Sequence, residues 1–315
     1  MKKTKKIIIS IVIFILFVFL FLLYGPIPTF REYLITSSIT TMNHQYIAHI
    51  FYSDKTIKEV LDKNKILETS EITDPKLINI SNKKHNNTYK LITIREKNYK
   101  AYIVEIYNPS TVKIATTNYL NTKGENILDV SKREKAIISI NGGGFYDPNW
   151  SSNGEIPHGM VIKNNKVISN YKDASVGGGY IGFNKENKLI LGKMSKEKAI
   201  SIYRDAIEFG PFLIINGKQT KIKGNGGWGI APRTAIGQRK DGTVLFLVVN
   251  GRIPTSIGAS MNDISDLMRR YGAYNAANLD GGSSTELVIK NKIINIPVGG
   301  DKLGLRNMPI FWIVK

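Results

Sequence analysis

The chain has 315 residues, 42% of them hydrophobic and 10% aromatic, enough apolar material for a large core, which excludes wholesale disorder. Its 44 Lys and Arg against 25 Asp and Glu give a net charge of +19, which excludes an acidic, nucleic-acid-mimicking surface and points to a partner of negative charge. With no cysteine it forms no disulfide, thiolate nucleophile, cysteine zinc site or iron–sulfur cluster, so its chemistry rests on oxygen, nitrogen and backbone groups.

Lys2, Lys3, Lys5 and Lys6 precede an apolar run from Ile7 to Tyr24 interrupted only by Ser10. Eighteen residues at ~1.5 Å rise span roughly 27 Å, close to the hydrocarbon thickness of a bilayer. A cleaved signal peptide would have a shorter run and a small-residue cleavage site. Here Tyr24-Gly25-Pro26-Ile27-Pro28 follows, so residues 1–25 are expected to be an uncleaved single-pass anchor. The lysine flank stays in the cytoplasm and residues 26–315 lie outside. Removing its four lysines from +19 leaves +15 on the outer part, which suits an anionic sugar-phosphate polymer of the envelope; nucleic acid is not an expected partner.

Thr29-Phe30-Arg31-Glu32 matches a capping box and predicts a helix as far as residue 52. Ser53 opens a second, amphipathic helix with Ile57, Val60 and Leu61 on one face, giving a helical stalk over 26–62. Met42 and His44 within it read as packing and surface residues, since no second ligand type is spaced to join them at a metal. Residues 63–90 are polar, end in Asn86-Asn87-Thr88, and are expected to be a linker.

Residues 91–315 read as one domain. Strands are predicted at 99–107, 136–140, 158–162, 180–183, 188–191, 211–215, 243–249, 287–289 and 310–314. Helices are predicted at 195–209 and 260–271, the latter with Ile264, Leu267, Met268 and Tyr271 along one face. Without regular strand–helix alternation, the expected class is α+β, a mixed and largely antiparallel sheet core with a few helices.

Four glycine-rich corners follow strands. In Asn141-Gly142-Gly143-Gly144 the glycines permit close backbone approach and let amides converge on an anion, or simply make a tight turn. In the corner 224–237, Arg233 is either a bidentate phosphate clamp or a surface salt bridge, and Trp228 either stacks on a sugar or packs. Asn250-Gly251-Arg252 puts a second phosphate-clamp candidate, Arg252, at a strand end. Asp280-Gly281-Gly282-Ser283-Ser284-Thr285 combines a carboxylate, flexible backbone and three hydroxyls, which fits a polyhydroxylated ligand, a cation, a developing charge or an Asx turn. Asp263, three residues after Ser260, reads as a helix cap.

In order, AIISINGGGF (136–145), FGPFLIINGK (209–218), PRTAIGQRKDG (232–242), VVNGR (248–252), GASMNDISDLM (258–268) and YNAANLDGGSST (274–285) resemble the phosphodiester glycosidase family over residues 136–315. The anchor and stalk look like those of membrane-tethered bacterial members. The resemblance implies a hydrolase that removes a sugar, such as α-N-acetylglucosamine, from a sugar-1-phosphodiester. It also implies that Asn141, Arg233, Asp280 and the hydroxyls of Ser283 and Ser284 line the cleft. Two departures stand out: Asn250 where relatives often have Asp, and Glu286 where they usually have an uncharged residue.

Phosphate is a good leaving group, so the demand shifts from protonating the leaving oxygen to stabilising its charge. The expected roles are Arg233, helped by Arg252, on phosphate, Asp280 as base or electrostatic partner at the anomeric carbon, and amides of Asn141–Gly144 as donors. No cofactor is required; a divalent cation at Asp280 is conceivable, although no multi-carboxylate loop supports it. The alternatives are a non-catalytic protein that holds anionic glycopolymers and a glycosyl-transferring enzyme of exopolysaccharide assembly.

Overall fold

A computed structural model describes residues 2–41, 44–81, 88–148, 152–171 and 178–315. Met42, Asn86 and Asn87 lie outside the described residues.

Helix α1 (Lys2–Tyr24) holds the apolar run, nearly all of it exposed, and is long and apolar enough to cross a membrane. Its penultimate residue Leu23 is buried with Ile35, Ala48, Tyr52, Ile57 and Val60 of helices α2 (Pro28–Ile39), α3 (Gln45–Phe51) and α4 (Asp54–Lys63) and the residue after α3. The single helix predicted over 29–52 is therefore two. The expected capping box is also displaced: α2 starts at Pro28, whose fixed φ and missing N–H suit a first helical position, so Thr29 lies inside the helix and no side chain caps it. Ser53 does cap α4, accepting from the Thr56 amide at 3.3 Å.

The polar stretch after α4 is laid along the domain. Ile66–Leu67 pairs antiparallel with Lys221–Ile222, and the amides of Thr73, Asn79 and Ser81 donate to the carbonyls of Leu191, Lys240 and Asp241.

Three antiparallel sheets form the domain, in keeping with the α+β expectation. The largest runs in the order Lys218–Gln219, Phe212–Ile215, Asn275–Asn278, Arg233–Gln238, Val244–Val249, Lys100–Ile106, Tyr89–Arg95. The second is Lys166–Tyr171, Gly159–Lys163, Tyr203–Phe209, Gly179–Asn184, Leu189–Gly192. The third is Lys292–Ile293, Leu287–Ile289, Ile138–Asn141, Ile310–Val314, Val112–Thr116. All three contribute to the main core, where the Trp312 and Phe183 rings meet edge to face at 5.7 Å.

Helix α5 (Ile127–Arg133) covers the outer face of the third sheet with Ile127 and Val130. Helix α6 (Lys196–Ile202) flanks the second sheet, and α7 (Met261–Arg270) packs Ile264, Leu267 and Met268 on the largest sheet. This explains the unbroken apolar run Val244–Val249. Val244, Phe246 and Val248 enter the main core, while Leu245, Leu247 and Val249 meet α7 on the other face.

A predicted helix of the domain is also corrected. The helix expected over 195–209 ends at Ile202, and Tyr203–Phe209 is the central strand of its sheet. Pairing on both edges outweighs the helical pattern there. Asp205 is fixed in that strand, accepting from Arg204 Nε at 2.7 Å and from the Asn164 amide at 3.0 Å. Strands Val112–Thr116, Lys166–Tyr171 and Asn275–Asn278 and helix α5 carry too little sequence periodicity to be predicted.

Candidate active site

The sheet registers bring the glycine-rich corners to one place. Arg233 pairs with Val249, so the start of one strand lies beside Asn250, and Ala235 pairs with Asn278, which leads into Asp280. The third sheet delivers Asn141, paired with Phe311, against the same corner.

Asn141 is the junction. Wholly buried, it donates from Nδ2 to the Asp280 carbonyl at 2.6 Å and accepts at Oδ1 from the Thr234 hydroxyl at 2.7 Å and the Glu286 amide at 3.3 Å. The Asp280 amide donates to the Gly142 carbonyl at 3.1 Å, locking the two corners together. The glycine triplet is shaped mainly by protein packing. A Cβ would lie 2.9 Å from the Ile310 carbonyl at Gly142, 3.3 Å from Ile207 at Gly143, and 2.9 Å from the Phe209 ring at Gly144. The Gly142 amide is itself committed to Ile310 at 3.0 Å.

Around Gly281 and Gly282 stand two guanidinium groups. Arg233 Nη1 lies 3.8 Å from the position a Gly281 Cβ would take, and Arg252 Nη2 lies 3.4 Å from the corresponding position at Gly282, whose φ is +61°. The two arginines differ in kind. Arg233 is buried, with Nε donating to the Ala259 carbonyl at 3.0 Å and Nη2 to the carbonyls of Trp228 and Gly229 at 2.5 and 2.8 Å. Burial, with the nearby Arg252 charge, pulls its pKa down to about 9 against the opposing pull of Asp263. Arg252 is exposed, at φ +58°, and its guanidinium has no hydrogen-bond partner among the described residues.

One residue before Gly281, burial pushes the Asp280 carboxyl up to about 6, although the Ser284 hydroxyl and the Gly281 amide, the latter donating at 3.0 Å, pull the other way. A carboxyl held there is suited to accepting a proton near neutral pH. Ser283, Ser284 and Thr285 are all buried in the turn that follows. Among the described residues no group of three or more His, Asp or Glu is placed to hold a metal ion.

Sequence reasoning did not find the outer wall. Arg306 forms an ion pair with Asp147, lies 4.6 Å over the Phe145 ring, and donates from Nη1 to the Ser283 hydroxyl at 3.4 Å. Its backbone amide donates to Glu286 Oε1 at 2.7 Å. Glu286 is wholly buried, its Oε2 has no hydrogen-bond partner among the described residues, and burial raises its pKa well above the usual carboxylate range. Only its departure from the family pattern marked it in the sequence. Asp263 is the predicted cap, reciprocally bonded with Ser260 at the start of α7.

A cavity of about 390 Å³ lies beside this centre, lined by His158, Phe209, Trp228 and, from the N-terminal segment, Leu61, Asn64 and Lys65 among others. Asp280 does not line it; Trp228 links it to the centre through the carbonyl that binds Arg233.

Residues 134–315 match the sequence signature of phosphodiester glycosidases. The chain belongs to the phosphodiester glycosidase family. The SPbeta prophage-derived uncharacterized protein YomE of Bacillus subtilis is 31% identical over 194 residues, 57% of this chain and 28% of that protein, so the chain matches little more than a quarter of that relative's length. Among solved structures, the zebrafish N-acetylglucosamine-1-phosphodiester α-N-acetylglucosaminidase catalytic domain, described as auto-inhibited by its pro-peptide, superposes with a TM-score of 0.60 at 18% identity, covering 78% of this chain and 87% of that one. A hypothetical protein from Synechocystis gives 0.50 at 15% identity, over 71% and 62% of the two chains. These likenesses show a shared fold. Family membership makes the expected hydrolase activity on sugar phosphodiesters the natural frame for the site.

Proposed function

We propose that the domain hydrolyses the bond between a sugar's anomeric carbon and phosphate in sugar-1-phosphodiesters of cell-envelope glycopolymers, acting outside the cell from a membrane anchor. The observation that carries this reading is the junction of the Asn141 and Asp280 corners at a carboxyl held up near 6, followed directly by the Gly281–Gly282 backbone against which the Arg233 and Arg252 guanidinium groups stand. In the reaction the C1–O bond to phosphate breaks and the phosphate monoester leaves with the bonding electrons. Water supplies the oxygen that bonds C1, and its proton passes to Asp280. Arg252, whose guanidinium has no hydrogen-bond partner among the described residues, receives the departing phosphate, and Arg233 holds the loop at Trp228 and Gly229 in place beside it.

The first substrate to test is an α-N-acetylglucosaminyl phosphodiester of a simple alcohol, with release of free sugar as the readout. Full turnover by Asp280→Asn would sink the assignment. Retention of polymer without release would support a binding protein in its place, and a new glycosidic linkage would support transfer.

A second feature bears on access. Asn225 donates its amide to Asn64 Oδ1 at 3.0 Å and its Nδ2 to the Thr36 hydroxyl at 2.8 Å, fastening residues 28–68 onto the 224–229 loop that Arg233 supports. In this reading that segment is a cover on one side of the cleft.

A further inference from the structure

In a chain with 22% charged residues, the stretch 33–53 contains no Lys, Arg, Asp or Glu. Burial does not account for this in α3, where Ala48 is the one buried residue. Tyr46 and Ile50, one turn apart on the same face, are 58% and 65% exposed. The helix is also fixed in height against α1. Phe51 meets Phe19 edge to face at 5.9 Å, and the Tyr24 hydroxyl donates to the Phe51 carbonyl at 3.1 Å. Phe19 lies five residues before Tyr24, about 7.5 Å along the helix axis, so α3 runs beside the last turns of the apolar run and not beyond them. On its polar side His49 pairs with Asp54 at 3.1 Å.

We infer that α3 is an interfacial membrane helix, with Tyr46 and Ile50 seated at the headgroup–hydrocarbon boundary of the bilayer that α1 crosses. The occupant of this exposed apolar face is lipid because the face continues the exposed apolar surface of α1 at Phe19, lacks charge, and carries a tyrosine at the depth where amphipathic aromatic rings settle.

The absence of native cysteine makes the test direct. The full chain is prepared with a nitroxide on a single introduced cysteine, Ile50→Cys or Tyr46→Cys, in phosphatidylcholine–phosphatidylglycerol liposomes. Collisional accessibility is measured with oxygen and with a water-soluble nickel chelate, and Phe14→Cys and Lys58→Cys provide the hydrocarbon and aqueous references. The expected result is nickel accessibility at 46 and 50 several-fold below that at 58, with oxygen accessibility between those at 58 and 14. Position 50 as open to nickel as position 58, with position 14 shielded, overturns the inference and leaves the anchor standing; an aqueous signal at 14 overturns both. The catalytic reading is untouched by either outcome.

Discussion

Asn141 Nδ2 donates to the carbonyl of Asp280 at 2.6 Å across 139 positions of sequence. The bond joins the third sheet to the largest one at the point where the proposed chemistry occurs, so the carboxylate's place is fixed by an amide that itself never needs to touch substrate. Asn141→Asp replaces the donor with an acceptor facing a carbonyl. Turnover should fall at least tenfold and stability by about 1–3 kcal/mol, read from a kinetic assay and a urea titration together.

Asp280→Asn should separate activity from stability. The folded-state pKa of about 6 lies above that of a free aspartate, so folding favours the protonated form; the stabilisation is full below pH 4 and is lost as pH rises through 6. Asparagine avoids this loss. The variant should lose turnover yet gain up to about 3 kcal/mol at pH 8, less where solvent screens the carboxylate, with little difference at pH 4. For the native chain, turnover should rise through pH 6 as the base ionises.

The two arginines should respond in opposite ways. Arg252→Ala removes a cation with no hydrogen bond to the described residues, so thermal stability should hold while KM rises roughly 10–100-fold, the loss of one charge-assisted contact to phosphate. Arg233→Lys cannot reproduce three donations to the carbonyls of Ala259, Trp228 and Gly229, and should lower stability by about 2–4 kcal/mol. Equal effects of both on melting temperature would contradict the division of roles.

Glu286→Gln should be close to neutral for folding in acid, below the usual carboxylate range, because burial favours the protonated carboxyl and the amide oxygen can still accept from Arg306. Since the native pKa is raised, the native chain loses stability as pH climbs and the variant does not. Paired denaturation curves over a series from acid to alkaline pH provide the check.

Asn64→Ala removes two hydrogen bonds, one accepted from Asn225 and a buried one given to the Val60 carbonyl at 3.0 Å. If residues 28–68 cover the cleft, sugar release should increase several-fold while the domain's main unfolding transition stays in place. Unchanged or reduced turnover would count against the cover.

Much of the fold was legible where one chemical pattern dominates. The apolar run of α1, the Ser260–Asp263 cap and the strand Val244–Val249 each follow from local sequence. Tyr203–Phe209 was not legible, because its strand character comes from neighbours on both edges. At the site, the glycine-rich corners named Asn141, Arg233, Arg252 and Asp280 as candidates, but not the contacts between corners, such as Asn141 with Asp280. Which arginine stays free depends on carbonyls 4, 5 and 26 residues from Arg233. Arg306 and Asp147 meet across 159 positions, a pairing no local spacing encodes.

The strand Val244–Val249 has protein on both faces and a partner strand along each edge. Its amides should be among the slowest in the molecule to exchange with deuterium, opening only with global unfolding. Arg252 is suspended three residues past that end. Its side chain can swing while its Cα hardly moves, so capture of an anion would demand reorientation about a few side-chain bonds in place of a loop closure.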